Sequence, residues 1–341
     1  SAYRKAEHYT EAAAAYTQEI PLRQLIKDDR GEAEASHNLS EAWLAAGKSS
    51  EAAAALTSEI ALWLNLHETA SARDAQVALA ALYAAEANYE SAQVAYTTAI
   101  SLTRGLDDQK LLADLLTDFS DLNVDQGNGA AAAVGYTEAL TLWQALEQPN
   151  DELKVLRRLA DLYRDQQQPE KAIAYLVQAL PLATAEDDPK TTAKLYGDLG
   201  AAYRDTAAIE KSREAYQAAL QRWQALGDQQ STMDTLKAIG DIYYREQQDY
   251  VTALNYFSQA LEIAQSEGLR GDEAYFLRRV GDTYEKQEQY EEALAQYHQS
   301  REIWLTLGEA EEAAKIDDDI AQTEADLAEQ QLALRTENGL V

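Results

Sequence analysis

The chain has 341 residues, 46% of them apolar, enough to bury a core rather than remain disordered. Its net charge of −30, from 29 Lys and Arg against 59 Asp and Glu, argues against nucleic-acid binding and against docking on an anionic membrane. Cysteine is absent, which excludes disulfides, thiolate nucleophiles and zinc ribbons but does not fix the compartment, and no apolar run reaches the roughly 18 residues of a spanning helix, so a soluble protein without membrane insertion is expected, with the cytoplasm as first choice of an open location.

Ala, Leu, Glu and Gln dominate, all good helix formers, and there are only 5 Pro. In chain order the predicted elements are helix pairs recurring every 40 residues, near 1–30, 31–70, 71–110, 111–150, 151–190, 191–230, 231–271 and 272–311, followed by a capping helix and tail at 312–341. The first repeat lacks half of its first helix, which leaves open whether a targeting segment or a further domain precedes Ser1. In the first helices, Tyr3, Trp43, Tyr83, Asn123, Tyr163, Tyr203 and Tyr243 are 40 apart, and Tyr284 follows after 41. In the second helices, Tyr16, Leu56, Tyr96, Tyr136, Leu176 and Tyr216 are 40 apart, Phe257 follows after 41 and Tyr297 after 40. One extra residue therefore lies between Tyr243 and Phe257 and is predicted in a turn at 246–250, where it leaves both helices in phase.

Small residues accompany both series. Ala12, Ala52, Ala92, Ala132, Ala172, Ser212, Ala253 and Ala293 precede the second series by four; Ser40, Ala80, Ser120, Ala160, Gly200, Gly240 and Gly281 precede the first by three. They predict close helix axes, with the neighbouring ring filling the space left. Trp63, Trp143 and Trp223 are 80 apart and Trp304 follows after 81, which reads as core packing or as duplication of a two-repeat unit. Beyond residue 311, Ile316, Ile320, Leu327 and Leu334 predict an amphipathic helix able to shield the last apolar face.

Leu199-Gly200-x2-Tyr203 with Ser212-x3-Tyr216, Ile239-Gly240-x2-Tyr243 with Ala253-x3-Phe257, and Val280-Gly281-x2-Tyr284 with Ala293-x3-Tyr297 resemble the tetratricopeptide repeat (TPR). The period departs from the usual 34, and the six extra residues predict longer helices, similar to the long-repeat branch of kinesin light chain and Pins-type adaptors. The resemblance implies an all-α, right-handed superhelical solenoid of about eight helix–turn–helix repeats plus the capping helix.

Sites of chemistry are not evident, and neither an enzyme nor a cofactor is expected. Gly47-Lys48-Ser49 looks like the end of a phosphate loop, but Ala42 stands where that motif needs Gly. His8, His37, His67 and His298 have no metal-ligand spacing; His37 reads as a surface residue that could meet a ligand. Asp317-Asp318-Asp319 lacks the alternation and Gly of a calcium loop, so no metal is expected there, and Asn38-Leu39-Ser40 is a sequon inside a predicted helix.

In TPR arrays the first helices line a concave groove, so the resemblance implies which positions face it. In repeats two to four these are acidic: Glu34, Glu41, Asp74, Asp114, Asp118, Asp121 and Asp125. In repeats five to eight the bases Lys154, Arg157, Arg158, Arg164, Lys194, Arg204, Lys237, Arg245, Arg278, Arg279 and Lys286 accompany the acids Asp161, Asp165, Asp198, Asp205, Asp234, Asp241, Asp282 and Glu285, which gives 11 − 8 = +3. Arg157, Arg158, Arg278 and Arg279 are the expected carboxylate clamps, because the guanidinium fork grips a carboxylate bidentately. Bases with an acid four residues on, such as Arg157 with Asp161, could instead pair along the helix; Arg158 and Arg279 have none. The expected function is a scaffold or adaptor binding a protein segment with separated charge blocks. The alternative is a sensor or regulatory arm of a larger multidomain signalling protein. Self-association through a terminal repeat is a further possibility.

Overall fold

A computed structural model describes residues 2–337, with side chains from His8 to Thr336. The Tyr3 side chain and the end of the expected tail, 338–341, lie outside the described residues. The chain divides into two compact units, Ser1–Gln167 and Gln168–Val341. The first contains α1 (Ala2–Leu25), α2 (Asp29–Ala45), α3 (Ser49–Asn65), α4 (Thr69–Ala85), α5 (Tyr89–Gly105), α6 (Gln109–Asp125), α7 (Gly129–Ala145) and α8 (Pro149–Asp165). The second contains α9 (Pro169–Ala185), α10 (Pro189–Asp205), α11 (Ile209–Leu226), α12 (Gln229–Asp241), α13 (Tyr250–Ser266), α14 (Arg270–Glu285), α15 (Tyr290–Leu307) and α16 (Ala310–Glu337). No strand occurs among the described residues. Within each unit successive helices pack as antiparallel neighbours, α2 on α3 and α3 on α4 in the first, α14 on α15 and α15 on α16 in the second.

The period follows from the turn. Most helices are 17 residues long, and each ends in the same three-residue reversal. After α2, Ala46 is right-handed, Gly47 is left-handed at φ 72°, and the Lys48 N–H bonds the Trp43 carbonyl at 2.9 Å. Left-handed residues recur every 20 positions, at Lys27, Gly47, His67, Ala87, Asp107 and onward. Asp28, Asn88, Asp108, Asp188, Asp228 and Asp249 then cap the next helix by accepting a backbone N–H, and Pro149, Pro169 and Pro189 open three helices where no N–H is needed. Two such helix-turn units make 40 residues, so the longer repeat is built from longer helices, as expected.

Ala87 and Ala207 hold φ of 53° and 57°, a region that Cβ disfavours. Ala87→Gly and Ala207→Gly are each expected to stabilise the fold by about 0.5–1 kcal/mol, the strain relieved less the added unfolded-state entropy of Gly. Thermal melts check this; a lower Tm for either variant contradicts it.

The extra residue is absorbed differently from expectation. It widens the end of a first helix into a π-helical turn, Ile242–Gln247, rather than lengthening the loop. The Asp249 N–H bonds the Tyr243 carbonyl six residues back, where Ala208 bonds Tyr203 five residues back. Keeping that closing bond preserves the reversal, and the helix is the part that swells. A second difference lies at the start, where α1 runs unbroken through Ala2–Leu25 and the reversal of the first repeat is not formed. The segment Arg4-Lys5-Ala6-Glu7 consists of good helix formers with no Gly or cap to interrupt it.

The packing rule holds from the second repeat on. Ala52, Ala92, Ala132, Ala172, Ser212, Ala253 and Ala293 are wholly buried, and so, to within a few percent, are the rings and leucines they serve, whereas Ala12 and Tyr16 of the first repeat are only half-buried. A Cβ added to Gly200, Gly240 or Gly281 would meet the Tyr216, Phe257 or Tyr297 ring at 2.6–2.7 Å. Trp63, Trp143 and Trp223 are core residues. On α16, Ala313, Ile316, Ile320 and Thr323 are buried, with Ile316 and Ile320 clustered around Tyr297 and Ala293; Leu334 is exposed, against expectation, because the helix outruns α15.

Candidate partner-binding surface

In the first unit, α2, α3 and α4 enclose a cavity of about 340 Å³. Two acids singled out from the sequence, Glu41 and Asp74, line it together with His37, Leu44, Leu56, Glu59, Trp63 and Ala75. Glu59 is 3% exposed. Its Oε1 accepts from the Trp63 indole N–H at 3.2 Å and lies 3.1 Å from His37 Nδ1. Its Oε2 is buried with no hydrogen-bond partner. Burial pushes the Glu59 carboxyl above its ordinary range; His37 and Trp63 pull it back and Glu41 adds to the rise. Sequence reasoning missed Glu59, although a signal exists: the same register holds Ala99, Ala139, Ala179, Ala219 and Ala260 in five repeats, Ser300 in the last and an acid again only at Glu19.

A raised carboxyl pKa means that the native state binds this proton more tightly than the unfolded chain does. The penalty is absent below the ordinary value of 4.5 and grows as pH rises through the native value. Glu59→Gln is therefore expected to stabilise the fold by about 1 kcal/mol at pH 7 and by nothing below pH 4.5. Urea melts across that range check it, and a gain that persists in acid contradicts it.

On α6, Asp114 and Asp118 are raised chiefly by burial, then by neighbouring Asp151 and Asp121 respectively. Asp121 is 3.1 Å from Arg158 of α8 and accepts the Tyr136 hydroxyl; Lys154 draws the Asp114 and Asp118 carboxyls down. Part of the acidic surface thus meets the first bases inside one unit. Glu34 and Asp125 are exposed, and Arg164 pairs with Asp161 at 3.1 Å.

The second unit corrects the clamp assignment. Arg279 is 9% exposed, bonded to Asp241 at 2.7 Å and Asp282 at 2.8 Å, with its guanidinium 4.7 and 4.6 Å from the Tyr244 and Phe257 ring centres. Arg278 is 2.8 Å from Asp319 of α16. Arg158 and Arg279, expected to be unpaired, both have partners, because the partner stands three residues on or one repeat back rather than at i+4. The two cross-repeat pairs share a register: in each, a base five before the aromatic position meets an acid two before that position in the preceding repeat. Lys237 lies 3.7 Å from Asp241, and Lys286 3.2 Å from Glu285. Lys154, Arg157, Lys194, Arg204 and Arg245 make no ion pair among the described residues, and all but the half-buried Arg157 are exposed.

Asp317 and Asp319 are held by Arg301 and Arg278, and no cluster of metal-ligating side chains occurs among the described residues. No helix there is long and apolar enough to cross a membrane.

Helix pairs closed by one repeated turn, with charged side chains on their first helices, define an α-helical repeat protein. The tetratricopeptide-repeat family matches residues 155–190 and 191–266. Residues 155–266 thus carry tetratricopeptide repeats, interaction modules that are generally not enzymes. No curated protein sequence matches it. Among solved structures, BtubC (BKLC) from P. vanneervenii is 21% identical with a TM-score of 0.52, over 64% of this chain and 92% of that one. The signal transduction ATPase with a tetratricopeptide-repeat sensor from Pyrococcus horikoshii is 15% identical with a TM-score of 0.49, over 83% of this chain and 42% of that one. Apo RapI is 14% identical with a TM-score of 0.49, over 73% and 96%. At 21% identity the likeness to BtubC is one of fold.

Proposed function

We propose that the chain is a scaffold that binds an extended or helical segment of another protein along its first helices. Glu34, Glu41, Asp74, Asp114 and Asp125 would meet the basic block of that segment. Lys154, Arg157, Lys194, Arg204 and Arg245 would meet the acidic one. The observation that carries this reading is that these five bases, in a chain that carries tetratricopeptide repeats, make no ion pair among the described residues while Arg278 and Arg279 are consumed inside the fold. An unpaired, solvated Arg keeps its bidentate fork for a carboxylate and loses little on docking. Opposite charge blocks would also orient the segment on approach.

The test is affinity capture with the wild-type chain and with Arg157→Glu/Arg204→Glu/Arg245→Glu. Partner recovery is expected to fall at least tenfold and to fall with salt in the wild type. Equal recovery by the two proteins would refute the basic surface.

A further inference from the structure

Glu59 is a buried acidic residue at a position that five repeats fill with alanine. Ala99, Ala139, Ala179, Ala219 and Ala260 occupy the same register and are wholly buried, as is Ser300 of the last repeat, while Glu19 of the first is half-buried and paired with Arg23. Trp143 and Trp223, at the register of Trp63, stand four residues after such alanines and are buried all the same, so the array does not need a carboxylate there. A carboxylate kept out of water with one oxygen unpartnered is costly unless a cation completes it.

The surroundings specify that cation. Oε1 is taken by Trp63 and His37, while Oε2 is unpartnered and closed to solvent, so a ligand lodged in the cavity that Glu59 lines would meet it once the carboxylate turns. Leu44, Leu56, Ala75 and Ala78 supply apolar wall, and the exposed Glu41 and Asp74 supply further negative charge. An anion would be repelled by three carboxylates. A metal ion would need a cluster of ligands that the described residues do not form. A volume of about 340 Å³ is at the low end for ligand pockets and suits a side chain or small amine.

We propose that this cavity binds one alkylammonium or guanidinium group on an apolar stem, with Glu59 as its buried counter-ion. The proposal rests on the scaffold reading only for the source of the cation, a Lys or Arg of a partner segment; a free amine carries the same chemistry.

The test titrates the full chain calorimetrically with agmatine, cadaverine, N-acetyl-arginine amide and N-acetyl-lysine amide, with n-pentanol as the uncharged control. The Trp63 indole N–H resonance, assigned with Trp63→Phe, is followed by NMR. Saturable shifts with the cations but not with pentanol are expected, and Glu59→Gln should weaken binding at least tenfold. Tighter binding of the free amines would assign the site to them, and tighter binding of the capped amino acids would assign it to a partner side chain. Glu59→Ala, the residue of five other repeats, is the second variant if Glu59→Gln does not fold. Absence of any saturable Trp63 shift, or unchanged affinity in the Glu59 variant, would overturn the proposal. The capture experiment alters Arg157, Arg204 and Arg245, none of which lines this cavity, so the two readings can fail separately.

Discussion

Arg279→Ala is expected to lower stability by about 3–5 kcal/mol, the usual cost of removing one partner from a buried, hydrogen-bonded ion pair. The guanidinium joins Asp241 of α12 to Asp282 of α14 and lies against Tyr244 and Phe257. Asp282 in turn accepts the Tyr297 hydroxyl of α15 at 3.0 Å, and that hydroxyl also reaches Glu285 at 3.1 Å. Deleting the cation leaves two carboxylates facing each other across a mostly buried site. Arg279→Lys is expected to recover only part of the loss, because an ammonium cannot bond both aspartates in the fork geometry or stack on the rings. Arg279→Met with Asp241→Asn should lose less than Arg279→Ala, since it removes one of the stranded charges. Urea denaturation of the four proteins measures this. A loss below about 1 kcal/mol for Arg279→Ala would mean that the pair behaves as a surface salt bridge and that the residue is available to a ligand.

Gly240→Ala is expected to cost about 1–3 kcal/mol, the range for overpacking a filled core. The new Cβ would lie 2.6 Å from the Phe257 ring, and both atoms belong to helices held on their other faces. Gly281→Ala should behave alike against Tyr297, with the extra loss of the hydroxyl bonds to Asp282 and Glu285 if the ring moves. A partial cure is written elsewhere in the chain, where Ala160 stands at this register with Leu176 in place of the ring. Gly240→Ala with Phe257→Leu should therefore be less damaging than the sum of the two single changes, a coupling that a double-mutant cycle reads directly. Additive losses would show that the ring and the Gly do not share the space.

These two variants separate what can be read in one dimension from what cannot. The Gly–aromatic contact was legible because small and large residues recur at fixed offsets, and the same spacing is imposed by a 17-residue helix and a three-residue turn repeated without drift. The extra residue before Phe257 was legible for the same reason, but its placement was not. Only the closed backbone decides that the Tyr243 carbonyl keeps its bond and that the helix, not the loop, takes the strain.

The charge on the first helices was legible as a list, and Glu41 and Asp74 do come together around one cavity. Which charges are spent inside the fold was not legible. The partners of Arg158, Arg278 and Arg279 stand 37 to 41 residues away, one repeat along, where side chains on neighbouring helices meet and a search along a single helix does not reach. Glu59 is the same lesson reversed: the break in the alanine series was visible in the sequence, but only burial shows that its second oxygen has no partner. By itself the sequence determined the helix class, the 40-residue register and the small-to-large packing, because these follow from periodicity and side-chain volume. The tertiary structure alone decided which ionised groups are consumed and which are left open, because desolvation and pairing depend on distances between repeats that spacing along the chain does not contain.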